Sequence, residues 1–173
     1  MGMGTSLPVI LALLFGLFSV NLFGETNANT AIYNFCIRHE GQQVGDGVCH
    51  TLVDEAFRSA GLPANYHPEK EVWRIASTPH GVVIQGDFNK VLPGDIIYFN
   101  DIFQDRYRFK GEAEASLYPE RPKENHIGVV DSISIDGVRY FNQNSSHQKK
   151  VKSDYFPFGN NLDIVDYIAI FRP

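Results

Sequence analysis

Only two of the 173 residues are cysteines, Cys36 and Cys49. Cys49 lies in "VGDGVCHTLVDEAFRSAG", directly after a glycine-punctuated loop and at the start of an apolar pattern with helical spacing. A thiol becomes a nucleophile as its thiolate, and the unpaired N–H groups and dipole of a helix start favour that anion. To act, the sulfur needs a general base, and the base needs a third group that fixes its tautomer. The six histidines are His39, His50, His67, His80, His126 and His147. Of these, only His126 opens a clear strand pattern. Across the hairpin that follows it, Asn142 and Asn144 fall on one face of the neighbouring strand by the period of two. Either asparagine can lie beside an inward-facing His126. Its side-chain oxygen would accept Nδ1–H and leave Nε2 to take the thiol proton.

Other chemistries for the same residues are weaker. Cys36 and Cys49 could form a disulfide, since their number is even and exported proteins favour such bonds. Cys36, His39, Cys49 and His50 offer a Cys/His set for zinc, but the adjacent Cys49-His50 pair is cramped for a tetrahedral site. Asp95, Asp101 and Asp105 are acidic residues without a pattern that selects two for sugar hydrolysis. HExxH, GxSxG and Walker-type loops are absent from the sequence. Asn144-Ser145-Ser146 is a glycosylation sequon of a kind that arises often by chance. No metal and no cofactor is implied.

The elements that would carry these residues can be read from periodicity. "TAIYNFCIRHEG" predicts a first helix ended by Gly41. Val48, Cys49, Leu52, Val53, Ala56, Phe57 and Ala60 form the stripe of a second, with Asp46 as N-cap and Gly61 just past its end. "PANYHPEKEVWRIASTPHG" reads as a polar connection with a short helical turn. "LPGD" is a turn into the buried strand "DIIYFN". Residues 104–125 read as a long charged surface loop bordering the cleft. "HIGVVDSISIDGVRYFNQN" predicts a hairpin turning at Asp136-Gly137. "DIVDYIAIFRP" is a last strand. Helices first and a meander of strands after them give an α+β domain, with N-terminal helices packed on a mostly antiparallel sheet.

Length favours one domain. A net charge of −5 without a basic stripe argues against nucleic acid or an anionic membrane surface as partner. The uncharged run "LPVILALLFGLFSVNLFG" followed by polar "ETNANT" has the layout of a secretory signal peptide over residues 1–24, with Gly24 or Ala28 before the cut; an uncleaved anchor is the alternative. The processed protein would be secreted or extracytoplasmic, monomeric and without an integral membrane domain.

"GQQVGDGVCHTLVDEAFRSAG", "LPGDIIYF", "NHIGVV" and "VRYFNQN", in that order, resemble the CHAP-type and NlpC-like group of papain-fold cysteine amidases and peptidases. The resemblance runs from about Ala31 to Pro173 and implies a papain-like domain over 31–173. It implies Cys49 as nucleophile, His126 as general base, Asn142 as the orienting residue and Asn144 as a second polar group near the oxyanion. Backbone N–H groups at the start of the Cys49 helix would hold the oxyanion. The implied activity is hydrolysis of peptide-type amide bonds through a thioester, with cell-wall peptides as the leading substrate. Two positions depart from the group's pattern: His50 stands where an aromatic is common, and Cys36 where a small residue is usual. Cys36 is then a buried free thiol. The competing reading is a non-catalytic secreted binding or effector module on the same fold.

Overall fold

The computed structural model describes residues 24–63, 67–78, 80–102, 124–143, 149–159 and 165–173. The apolar N-terminal run, most of the charged loop, and Asn144 with its sequon and His147 lie outside these residues. Helix α1 spans Gly24–His39 and α2 spans Cys49–Ser59. Seven strands follow: β1 Lys70–Thr78, β2 Gly81–Gly86, β3 Ile96–Ile102, β4 Glu124–Ser134, β5 Gly137–Asn142, β6 Lys152–Pro157 and β7 Tyr167–Arg172. They form one sheet in the order β2-β1-β7-β3-β4-β5-β6, with every neighbouring pair antiparallel. The last strand of the chain therefore lies between β1 and β3, and the strand order is not a plain meander. The fold is α+β.

Both helices bury a stripe set by their period. In α2, Leu52, Val53, Ala56 and Phe57 are buried. In α1, Ile32 and Cys36 are fully buried. These residues share one cluster with Ile96, Val129 and Phe141 of the sheet. Burying each of the larger side chains contributes about 1.5–3 kcal/mol. The opposite face of the sheet makes a second cluster, from Trp73 and Ile75 on β1 through Ile97, Phe99, Val130, Val138 and Tyr140 to Phe156 on β6. Its contacts show that the sheet curls. Strands β1 and β6 are five places apart, which would be ~24 Å in a flat sheet. Yet Trp73 stacks on Phe158, just beyond β6, with ring centroids 5.3 Å apart, and Phe99 on β3 meets Phe156 at the same centroid distance.

Several sequence expectations change. Within the described residues the first helix runs over Gly24–His39, so it takes in the polar stretch assigned to signal processing. Asn29, within that stretch, is buried and donates from Nδ2 to Asp95 at 2.8 Å. The turn "LPGD" closes against it. Gly94 has φ +90, and a Cβ there would lie 2.1 Å from the Asn29 carbonyl oxygen, so only glycine fits. The supposed connection around Trp73 is the β1–β2 hairpin. Strand β6 was not expected from the sequence. The β4–β5 turn is one residue earlier than Asp136-Gly137, because Ser134 pairs with Gly137. Among the described residues, no helix is long and apolar enough to cross a membrane.

Candidate active site

Cys49 is the first residue of α2, as the stripe predicted, and is partly exposed. The N-cap is Val48, which has no capping side chain, and not Asp46. Asp46 serves the helix start from two residues upstream, accepting from the Val48 N–H at 3.2 Å and from the Thr51 hydroxyl at 2.6 Å. These bonds hold its carboxyl below the usual range, with the Thr51 bond the largest cause. The loop entering α2 is thus bound to its first turn.

His126 lies near the start of β4 and pairs with Phe99 of β3. It shares a face with Gly128 and Val130 by the strand period. Val130 pairs with Tyr140, so Asn142 belongs to the same face two residues on. The His126 ring is flanked by Phe99 at 6.2 Å and Tyr140 at 6.1 Å between centroids. A Cβ on Gly128 would meet Tyr140 Cδ2 at 2.8 Å, so the bare glycine leaves room for that ring.

His126 is 3 % exposed and Asn142 is fully buried. Burial is the main reason that the imidazole pKa falls to about 4; the Asn142 side chain and the Asp154 charge oppose the fall, while His50 and Lys152 add to it. The ring is neutral at neutral pH. The Asn142 amide donates from Nδ2 to Asp154 Oδ2 at 3.0 Å. The Asn142 side chain is also within hydrogen-bonding reach of the His126 ring. Among the described residues, neither Asn142 Oδ1 nor His126 Nε2 completes a hydrogen bond of normal geometry, although both are buried. An N–H donor and an amide oxygen are complementary, and neither group has another partner among those residues.

Gln143, the next residue, turns to the other face. Its side chain accepts from the Val44 N–H at 3.2 Å and donates to the Val44 and Val48 carbonyls at 2.9 and 2.7 Å. The residue before Cys49 is therefore tied to the residue after Asn142. His50, the residue after Cys49, lies within electrostatic reach of His126. The chain neighbours of Cys49 are thus bound to, or act on, the strands that bear Asn142 and His126. Sequence reasoning missed Gln143 and Asp154. Gln143 was visible only as a polar residue on the face opposite Asn142, and Asp154 fell in a stretch not read as a strand.

The other candidates separate from this group. The two cysteines are not bridged to each other. Cys36 is fully buried, which pushes its pKa up to about 12. On α1, His39 places Nδ1 at 2.8 Å from the Phe35 carbonyl oxygen. Asp95 is buried, and Arg172 binds both its oxygens. The Asp101 side chain and all of Asp105 lie outside the described residues.

Two solved structures are similar in outline. "The crystal structure of Ly7917" is 13 % identical, with a TM-score of 0.47 over 84 % of this chain and 62 % of that one. "The crystal structure of Ly7917 with the hydrolyzing product of MDP" is 15 % identical, with a TM-score of 0.45 over 84 % and 63 %. This chain therefore spans less than two thirds of either. None of the curated proteins compared matches it. A family model does: that of the AIM3/BBC1 cysteine proteinase-fold domain matches residues 24–160, from α1 through β6, and the chain belongs to that family.

Proposed function

We propose that the protein is a secreted, monomeric cysteine hydrolase that cleaves peptide-type amide bonds, with cell-wall peptides as the leading substrate class. Cys49 is the nucleophile, His126 the general base and Asn142 the residue that orients the base. The observation that carries this reading is the Gln143 side chain, which fastens the start of the Cys49 helix to the end of the Asn142 strand. The family's cysteine proteinase fold supports it. So does the open pair of Nε2 and Oδ1.

The roles of the two ring nitrogens are the reverse of those expected from sequence. With Nε2–H directed at Asn142 Oδ1, Nδ1 carries the lone pair and takes the proton from Cys49. The sulfur adds to the amide carbonyl, and the oxyanion is held by N–H groups at the start of α2. The imidazolium then gives its proton to the leaving amine, and the C–N bond breaks to leave a thioester. Water attacks the thioester, its proton passes to His126, and the proton returns to the departing thiolate. Asn144 remains a second polar group beside the oxyanion in this scheme.

The experiment is a comparison of the wild type and Cys49→Ala on purified peptidoglycan and on a general peptide library. Activity in the wild type that is lost in the variant is expected on one of the two. Equal signals from both proteins would overturn the enzyme reading and leave a binding module on the same fold.

A further inference from the structure

An asparagine amide has two ends of nearly the same shape and opposite hydrogen-bonding sense. Only Oδ1 can accept from a ring N–H, so an asparagine orients a histidine only if its amide cannot turn over. Strand β6 supplies the means. Its pairing with β5 puts Lys152 opposite Asn142 and Asp154 opposite Tyr140, so both charged residues share the His126 face. Asp154 Oδ2 accepts from Asn142 Nδ2 at 3.0 Å, and Lys152 Nζ lies 3.1 Å from the same oxygen. We propose that Asp154 is a positioning residue of this site, which grips the donor end of the Asn142 amide and so presents its acceptor end to His126.

The reversed amide is disfavoured twice. Its oxygen would face a carboxylate, acceptor against acceptor. Its NH2 would face the Nε2–H of His126, donor against donor. Lys152 Nζ sits beside the same Asp154 oxygen, and a carboxylate oxygen can only accept. Among the described residues, the charged or titratable groups acting on His126 are His50 from α2 and Lys152 and Asp154 from β6. This relay rests on the reading of His126 as the base, and the test separates the two.

The tautomer of His126 in the wild-type protein, read from long-range proton–nitrogen NMR correlations, is expected to be Nε2–H. A dominant Nδ1–H form would overturn the proposal without any variant. Alkylation of Cys49 by iodoacetamide across pH is then compared in the wild type, His126→Ala, Asp154→Ala and Asp154→Asn. Loss of the charged acceptor in Asp154→Ala should mix the tautomers and slow alkylation at neutral pH by about tenfold or more. Asp154→Asn should recover most of the rate, because Lys152 holds the new amide oxygen where Oδ2 was. A purely structural role for Asp154 would lower the melting temperature but leave the tautomer and the pH profile in place. If His126→Ala does not change the profile, the base reading fails. If it does and Asp154→Ala does not, the relay alone fails.

Discussion

The two thiols make opposite use of their surroundings. Cys36 is enclosed on all sides and has a pKa of about 12, so its thiolate is scarce at any ordinary pH. Cys49 is partly exposed at a helix start. Iodoacetamide near neutral pH should therefore label Cys49 and spare Cys36 in the native protein, as peptide mass mapping would show; prior labelling of Cys36 would contradict the packing of α1. His126 adds a pH dependence of stability. Its folded pKa is about 4 against an ordinary 6.5, so between these values the unfolded chain binds more protons. Stability is then complete above pH 6.5 and is lost as pH falls toward 4, by about 3 kcal/mol across the window. Urea midpoints measured from pH 7 to 4 should fall steeply in the wild type and less so in His126→Phe, which has no proton to take up there. Parallel curves would show that the ring is not held neutral.

At the scale of elements, the loop from Val44 to Val48 depends on one amide. Replacing Gln143 by Leu keeps the volume and strands the Val44 N–H, at roughly 1–3 kcal/mol if left buried without a partner, while the Val44 and Val48 carbonyls keep their bonds from the Gly47 and Leu52 N–H groups. Gln143→Leu should lower the urea midpoint accordingly and slow Cys49 alkylation, since α2 loses its tie to β5. A midpoint like that of the wild type would mean that the loop is held by something else. These ties explain what the sequence disclosed and what it hid. The α2 stripe, strands β3 and β7, and the shared face of His126 and Asn142 follow local periods of 3.6 or 2, and all were legible. Strand β2 is exposed along its whole length, so it has no alternation to read. In β1 the alternation of buried Trp73 and Ile75 is short and set among charged residues and nearby prolines. Strand β6 was missed because its inward face carries Lys152 and Asp154, which pair with each other there, Asp154 also accepting from Asn142. Gln143 reaches residues 95–99 positions away, a distance that no local pattern records.

Across the whole molecule, one carboxylate joins three parts of the chain. Asp95 Oδ1 accepts from Asn29 of α1 at 2.8 Å and from Arg172 Nε at 3.1 Å. Oδ2 accepts from the Leu92 N–H at 2.8 Å and from Arg172 Nη2 at 3.1 Å. Asp95 thus links the first helix, the turn before β3 and the last strand, which lies between β1 and β3 and joins the two halves of the sheet. Removing one side of a buried, fully bonded pair leaves the other charge without compensation, at a typical cost of about 3–5 kcal/mol. Asp95→Ala should therefore lower stability by that order in urea titrations. The loss should not be uniform. Asn29 and Cys36 lie on the same helix, and freeing the Asn29 amide loosens α1 from the sheet first. Cys36 should then react with a thiol reagent at a measurable rate in conditions where the wild type shows none. Cys49 should keep its rate, because the bonds that tie the loop entering α2 run through Gln143 and Asp46 and do not touch Asp95. Equal acceleration of both thiols would mean that the variant opens as one unit, and that the carboxylate does not hold the helix separately from the site.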